Sequence, residues 1–424
     1  MALFPVLLVN FIGTLGFSIV LPFLVFVVLR FGGNALIFGI VGATYPALQM
    51  IGAPILGRWS DRYGRRRVLL ISQAGTLLSW VIFALALAVP VVDIAVVDAP
   101  LLGTFRLTLP LLLILFSRAL DGLTGGNISV ANAYVADISP EEDRSRNFGR
   151  MGISSNLGFV VGPALAGLLG GTAMGESLPV LAALLVSLVA TLLIAFYLPE
   201  SNPCGEPQRA DPTRVGRLFG HEHRSCYAER EASGKTTPNV WALPQIKRMM
   251  SLYLVVFLAF NLFYTAFPMR AAAELAWSVS DTGVYFAVLS AMMVVVQGPV
   301  LAALSSRFSD AQLIVAGGVI LSGNFALLLS ANTAVIYVAA VLFAVGNGIM
   351  WPSVLSLLSK LAGEENQGAV QGVAGSAGGL ASILGLVAGG LLFETAGEST
   401  FLVSAALILV ACGVALPWLR TSPH

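Results

Sequence analysis

Charge is scarce in this chain. Of its 424 residues only 11% are Asp, Glu, Lys or Arg, while 57% are hydrophobic; a soluble globular chain carries about a quarter charged residues. That much apolar surface cannot be kept in water, so lipid must be the solvent. The 23 bases and 22 acids nearly cancel, leaving a net charge of +1, and the basic face that a nucleic-acid partner needs is missing. Cysteine is rarer still: Cys204, Cys226 and Cys412 are too few and too scattered for a disulfide framework. No P-loop, Gly-x-Gly-x-x-Gly after a strand, His-Glu-x-x-His or nucleophile elbow occurs. The expectation is therefore a protein that is not an enzyme, takes no cofactor and draws any work it does from a gradient.

What the chain has is apolar length. Hydrophobic runs of about 20 residues recur from end to end, and at 1.5 Å per residue each can cross roughly 30 Å of hydrocarbon. The runs are continuous, not alternating, which selects helices over a barrel. They predict an all-α membrane protein of twelve transmembrane helices, at roughly 3–29, 36–57, 68–90, 108–136, 148–170, 178–198, 249–269, 282–304, 311–330, 335–358, 369–393 and 400–419. The first run continues past Pro22 to Leu29 with no basic stretch before it, so it reads as a span and not as a cleaved leader. With both termini in the cytoplasm, the inner loops and tail hold 19 of the 23 Lys and Arg, against Arg30, Arg106 and Arg270 outside and Arg118 within a span. The positive-inside rule then predicts a multi-pass protein of the plasma (inner) membrane in that orientation.

The hydrophobic pattern stops for longest between Pro199 and Pro244, which divides the chain into an N-terminal six-helix bundle, 1–198, a cytoplasmic central loop, 199–247, and a C-terminal six-helix bundle, 248–424. The halves are related. Pro54, Leu56, Ser60 and Arg62 after span two recur as Pro299, Leu301, Ser305 and Arg307 after span eight, though Ser306 stands where the first copy has Asp61. Gly162 and Gly167 of span five are echoed by Gly385 and Gly390 of span eleven. Related halves are a common plan for transporters, with the site between them near the bilayer midplane.

The run Gly57-Arg58-Trp59-Ser60-Asp61-Arg62-Tyr63-Gly64-Arg65-Arg66-Arg67 resembles the signature between spans two and three of the major facilitator superfamily. Arg118 and Gly122 resemble its RxxxG motif in span four, and Gly158 with Gly162-Pro163 and Gly167 resembles the span-five motif of its drug/proton antiporters. The likeness is greatest to tetracycline resistance-like efflux pumps of the twelve-span type, through Ala47-Leu48-Gln49 to Leu70, Asp121 to Asp137, and Gln367 to Gly372. It implies two six-helix bundles working by alternating access, and export of small molecules. It also implies a gating role for Gly57, Asp61, Arg62, Gly64 and Arg65, in which Asp61 bridges to basic residues and to a helix terminus of the opposite half. Gly13 and Ser79 stand where the tetracycline pumps carry acids.

Arg118 and Asp121 are the ionisable residues deepest in any predicted span, where each costs on the order of 2.5 to 3.5 kcal/mol to insert. They share an arc of about 100° with Gly122, Gly125, Ser129 and Asn132, a polar stripe suited to a central cavity. The pair reads either as a proton relay or as two charges that neutralise each other at i, i+3. Candidate cavity residues are Asn10, Tyr45, Gln49, Asn132, Asn261, Tyr264, Gln297, Asn347 and Trp351; each alone could equally be an interhelical hydrogen bond. Gly158, Gly162, Pro163 and Gly167 are read as helix-packing residues, on surfaces that slide. Cys204, His221, His223 and Cys226 of the central loop could ligate zinc, but their spacing is irregular; no metal is expected and the loop reads as a tether.

The leading functional expectation is proton-coupled efflux of drugs or amphipathic metabolites by a monomer in the bilayer. Two others stay open: an uncoupled facilitator or importer of a small polar solute, and a transporter-like membrane sensor.

Overall fold

The computed structural model describes residues 3–20, 22–99, 102–125, 127–139, 141–172, 174–201 and 240–421. The central-loop residues Cys204, His221, His223 and Cys226 lie outside the described residues.

Helices α1 (Leu3–Ser18) and α2 (Leu24–Arg30) form the first crossing, broken near Pro22 because proline has no N–H to donate. Helix α3 (Ala35–Tyr63) starts at Asn34, whose side chain accepts from Ile37 N at 3.1 Å. It stops at Gly64, where φ is 96°, a value that favours glycine and reverses the chain into α4 (Arg65–Ala88). Next come a hairpin, β1 (Asp93–Ala99) and β2 (Gly103–Thr108), and then α5 (Leu109–Thr124), α6 (Asn127–Ile138), α7 (Glu141–Gly170) and α8 (Ser177–Tyr197). The second half holds α9 (Ile246–Ala273), α10 (Val279–Val295), a π turn over Val296–Val300, α11 (Leu301–Ser305), α12 (Asp310–Leu327), α13 (Thr333–Ala396) and α14 (Thr400–Thr421). Helix α13 is two crossings joined at Gly363, whose φ of 64° and ψ of 176° are not helical.

Among the described residues, ten helical stretches are long and apolar enough to span a bilayer; one of them, Val370–Arg420, runs over two crossings, and Leu3–Ser18 is a shorter apolar helix. This accounts for the twelve crossings expected. Large apolar side chains cover the outside of the bundle, with Phe196 76% and Leu168 72% exposed, as a lipid-facing wall requires.

Three expectations are corrected. The loop from 90 to 107 is an antiparallel hairpin with Val97 opposite Phe105 and Val96 opposite Arg106. The β-branched run from Val91 to Val97 favours extended backbone. Arg270, read as a loop residue, lies in the last turn of α9 and is 1% exposed. The repeat register in spans five and eleven also moves. Asn10 Nδ2 donates to Ser155 Oγ at 2.7 Å, joining α1 to α7, and Asn261 Nδ2 donates to Ser382 Oγ at 3.1 Å, joining α9 to α13. Thr14 and Thr265 then donate to the carbonyls of Asn10 and Asn261. Gly158 lies on Phe11 and Thr14 of α1 as Gly389 lies on Leu262 and Thr265 of α9, so Gly385 is not the counterpart of Gly162.

Two seams join the halves, and both are closed at the end that carries the hairpin. On one, a Cβ at Gly167 of α7 would collide with the backbone of Gly283 on α10. On the other, Gly39 of α3 lies on the Leu386 backbone of α13, and Gly390 lies on that of Ala35. Glu394 Oε2 accepts from Ala35 N at 3.2 Å across that seam, an anion at the positive end of a helix. Toward the other end the same helices part: a Cβ at Gly379 would have Met50 Sδ 4.0 Å away, and at Gly375, Gly372 and Gly57 it would meet nothing within 4 Å.

Candidate functional site

Helix α5 places Arg118 and Asp121 one turn apart, each 4% exposed, with Nη1 donating to Oδ2 at 3.1 Å. Glycine at 122 lets the backbone of Tyr45 press against α5. The Tyr45 ring then lies 5.0 Å from the Arg118 guanidinium carbon, within cation–π range. Gln49, one turn further along α3, donates to the Tyr45 hydroxyl at 2.9 Å and to Gly125 O at 2.8 Å. The hydroxyl of Thr76 on α4 is hydrogen-bonded to Asp121. Four residues singled out from the sequence, Arg118, Asp121, Tyr45 and Gln49, thus form one cluster.

The two charges face different surroundings. Arg118 lies under the tyrosine ring. Asp121 lines a small pocket with Ile12, Gly13, Gly16 and Phe17 of α1, Tyr45 of α3, Gln73, Thr76 and Trp80 of α4, and Val186 and Ser187 of α8. Gly13 is therefore on the pocket wall. Ser79 is not: its hydroxyl donates to Thr76 O at 2.8 Å within its own helix.

Other candidates sort differently. Asn10 and Asn261 bind across helix pairs, as described above, and Asn10 is 4% exposed. Asn347 is 7% exposed, and its Nδ2 lies 4.0 Å from Met293 Sδ. Gln297, in the π turn, lies against Gly348, and Asn132 is half-buried on α6. Tyr264 packs at a tilt against Phe263, with centroids 5.4 Å apart. Trp351 belongs to a group the sequence did not reveal: its ring centroid is 5.3 Å from that of Tyr253 and 5.1 Å from that of Phe257, which stack on each other at 4.8 Å. Tyr253 and Phe257, at i and i+4 on α9, carry the usual signature of a core face, so their spacing alone marked nothing.

The motif after α3 forms a charge network. Arg65, 5% exposed, reaches Asp61 at 2.7 Å, Asp137 of α6 at 2.8 Å and Ser60 Oγ at 2.6 Å. Glu200, not singled out from the sequence, accepts from the backbone N–H of Arg65 and Arg66 at 2.6 and 3.1 Å and so caps α4. Arg66 donates to the carbonyls of Ile194 and Ala195 at the end of α8. Gly64 supplies the turn, and Arg62 is exposed. Gly158 packs on Thr14 and Leu15 and Gly162 on Ser18 and Ile19, all on α1, while Gly167 forms the seam. Pro163 lies within α7.

A second buried cation lies at the hairpin end. Arg270 donates to Glu398 at 2.9 Å, Glu274 at 3.3 Å and Leu329 O at 3.3 Å. The Glu274 carboxyl is pushed above the usual carboxylate range, first by burial and then by Glu398, against the pull of Arg270.

The family model described as Major Facilitator Superfamily matches residues 6–384 and 249–424. The chain belongs to that superfamily. It is a transporter, not an enzyme, and a multi-pass membrane protein that takes small-molecule substrates, close to the tetracycline-resistance-like antiporters. It is 29% identical to the class C tetracycline resistance protein of Escherichia coli over 90% of its own length and 86% of the relative's. It is 25% identical to multidrug resistance protein 2 of Bacillus subtilis over 98% and 95%. The transporter's fold also resembles the solved human organic anion transporter MFSD10 (TM-score 0.64, 20% identity, 98% of each chain). A D-xylose–proton symporter gives a TM-score of 0.72 at 15% identity, over 98% of this chain and 97% of that one.

Proposed function

We propose that the transporter exports small amphipathic molecules, drugs or metabolites, by proton antiport with alternating access. The observation that carries this reading is the buried Arg118–Asp121 pair, whose acid opens on a pocket while its base lies under Tyr45. Protonating Asp121 removes the partner of Arg118, and the cation is then held by the tyrosine ring or by substrate. Antiport needs one site whose proton and substrate occupancies compete, and about 2.3 kcal/mol per elementary charge is available per 100 mV. That relatives are named for tetracycline and multidrug resistance supports efflux as the direction.

The bundles 1–198 and 248–424 rock about the α3–α13 and α7–α10 seams, with 199–247 as the link. The transporter lies in the inner membrane with both termini cytoplasmic, so the conformation described is closed outside and parted inside. It acts as a monomer. In the cycle the Asp61–Arg65–Asp137 network belongs to the cytoplasmic gate, and the Glu394 contact with α3 to the outer one. The aromatic group Trp351, Tyr253 and Phe257 gives the second half a wall on which an apolar or aromatic substrate stacks.

Proteoliposomes with an imposed pH gradient test the reading, with a panel of lipophilic cations and neutral drugs. Gradient-driven flux is expected in the wild type and is expected to vanish in Asp121→Asn and Arg118→Ala. Equal flux with and without the gradient would make the protein an uncoupled facilitator and the ion pair structural.

A further inference from the structure

The pocket beside Asp121 contains a polar atom that the protein itself does not satisfy. Gln73, 1% exposed on α4, donates through Nε2 to Ser187 Oγ at 2.9 Å and to Ser187 O at 3.4 Å. Because a backbone carbonyl only accepts, that contact fixes which way the amide faces and turns Oε1 away from α8. Oε1 is buried without a hydrogen-bond partner. A buried acceptor left so bears its full desolvation penalty, which is more than a protein readily concedes for a residue that could be leucine. Gln73, Thr76, Asp121, Tyr45 and Ser187 all line the pocket, and its size suits a single water, which needs two to four polar partners.

We propose that this pocket is a one-water site and that Gln73 is a positioning residue for the proton: its Oε1 accepts from a water that also touches the Asp121 carboxylate. A hydronium arriving there gives its proton to the carboxylate oxygen and remains as water, held by Gln73. No electron pair leaves the site and no co-reactant is needed. The proton thus reaches Asp121 from inside the first six helices, through a pocket walled by α1, α3, α4 and α8. Around the pocket the titratable and charged groups are Asp121 and Arg118 on α5 and Tyr45 on α3; the lining residues of α1, α4 and α8 bring none. On the α1 side, between Ile12 and Phe17, Gly13 and Gly16 leave room: a Cβ at Gly16 would meet nothing within 4 Å.

The inference rests on the coupling role of Asp121, and the experiment separates the two. Gln73→Met, similar in volume and without the amide acceptor, and Gln73→Asn, which keeps one without adding charge, are purified beside Asp121→Asn and checked for a wild-type melting transition. Two quantities are read: the pH profile of gradient-driven flux, and the deuterium-sensitive infrared band of the protonated Asp121 carboxyl. The midpoint of the profile is expected to move upward by about a unit in Gln73→Met, the band to shift in frequency, and both to return toward wild type in Gln73→Asn. A folded Gln73→Met with an unchanged profile and band overturns the inference while leaving the antiport reading intact. Gradient-driven flux surviving in Asp121→Asn overturns the antiport reading and this one with it. Flux driven by a sodium gradient at equal pH, and lost in Gln73→Met, overturns the one-water assignment in favour of a monovalent cation.

Discussion

The two halves share one plan and differ in where they bury charge. The first six helices hold Arg118 and Asp121 near the middle of the crossing Leu109–Ile138 that α5 and α6 form, each 4% exposed. The last six hold Arg270 in the final turn of α9, with Glu274, Glu398 and the Leu329 carbonyl around it. A charge at a helix end reaches other charges and the interface at small cost, whereas a charge at the centre of a span is expensive unless paired. The Arg270 cluster therefore suits a fixed end-piece, and the Arg118 pair suits a centre whose pairing can be broken and remade. Opposite the pair, the second half offers rings: Trp351, Tyr253 and Phe257 within 5.3 Å of one another. Duplication produced the scaffold, and divergence left ionic chemistry on one side and an apolar wall on the other.

The largest effect is expected from splitting the ion pair. Arg118→Leu leaves an unpaired buried carboxylate and should lower stability by about 3–5 kcal/mol. Arg118→Leu with Asp121→Leu should melt close to wild type in detergent yet show no gradient-driven flux; flux in the double variant would erase the distinction between the halves. Next comes the seam. Gly167→Leu has no room against Gly283, so spin labels at the hairpin end of α7 and α10 should move apart and turnover should stop. An unchanged distance distribution would mean that the seam yields elsewhere. In the aromatic wall, Trp351→Ala should raise KM for aromatic substrates by about tenfold, given ~0.5–1.5 kcal/mol per ring contact beyond area burial. Asn261→Ala, which removes the interhelical bond to Ser382 and the local one to Phe257 O, should cost about 0.6 kcal/mol of stability and leave the substrate ranking as it was.

The smallest effect concerns Glu274 at the hairpin end. Its carboxyl titrates above the usual range, so the folded state favours the neutral form: that contribution is fully present in acid and is lost as pH rises through the raised value. Glu274→Gln mimics the neutral form, and should raise the melting temperature slightly, by about a degree, at pH 8 and not at pH 4. The reverse pH dependence would show that the ion pair with Arg270 outweighs burial.

Much of this was legible from residues alone. Hydropathy marked the crossings to within a few residues, because lipid admits no other use for such runs. The glycines and charges from Gly57 to Arg67 marked a loop whose Arg65 does become buried among Asp61, Asp137 and Ser60. Other features were hidden by their chemistry. Asn10 and Asn261 looked like cavity residues but are interhelical ties, since one polar residue in a helix has the same pattern in either role. Glu200 adjoins the polar central segment in sequence, and only the fold carries it to the start of α4. Gln73 drew no notice, because an uncharged amide in a span is ordinary until its oxygen is found without a partner.

The sequence by itself determined the solvent, the number of crossings, the superfamily resemblance and the pairing of Arg118 with Asp121. These depend on composition, run length and local spacing, which survive without knowledge of long-range contacts. The tertiary structure decided which helices meet at the seams, that Arg270 is buried, and that the Asp121 side of the ion pair faces a pocket while the Arg118 side faces a ring. Those outcomes depend on how residues tens to hundreds of positions apart pack, and no local pattern carries that information.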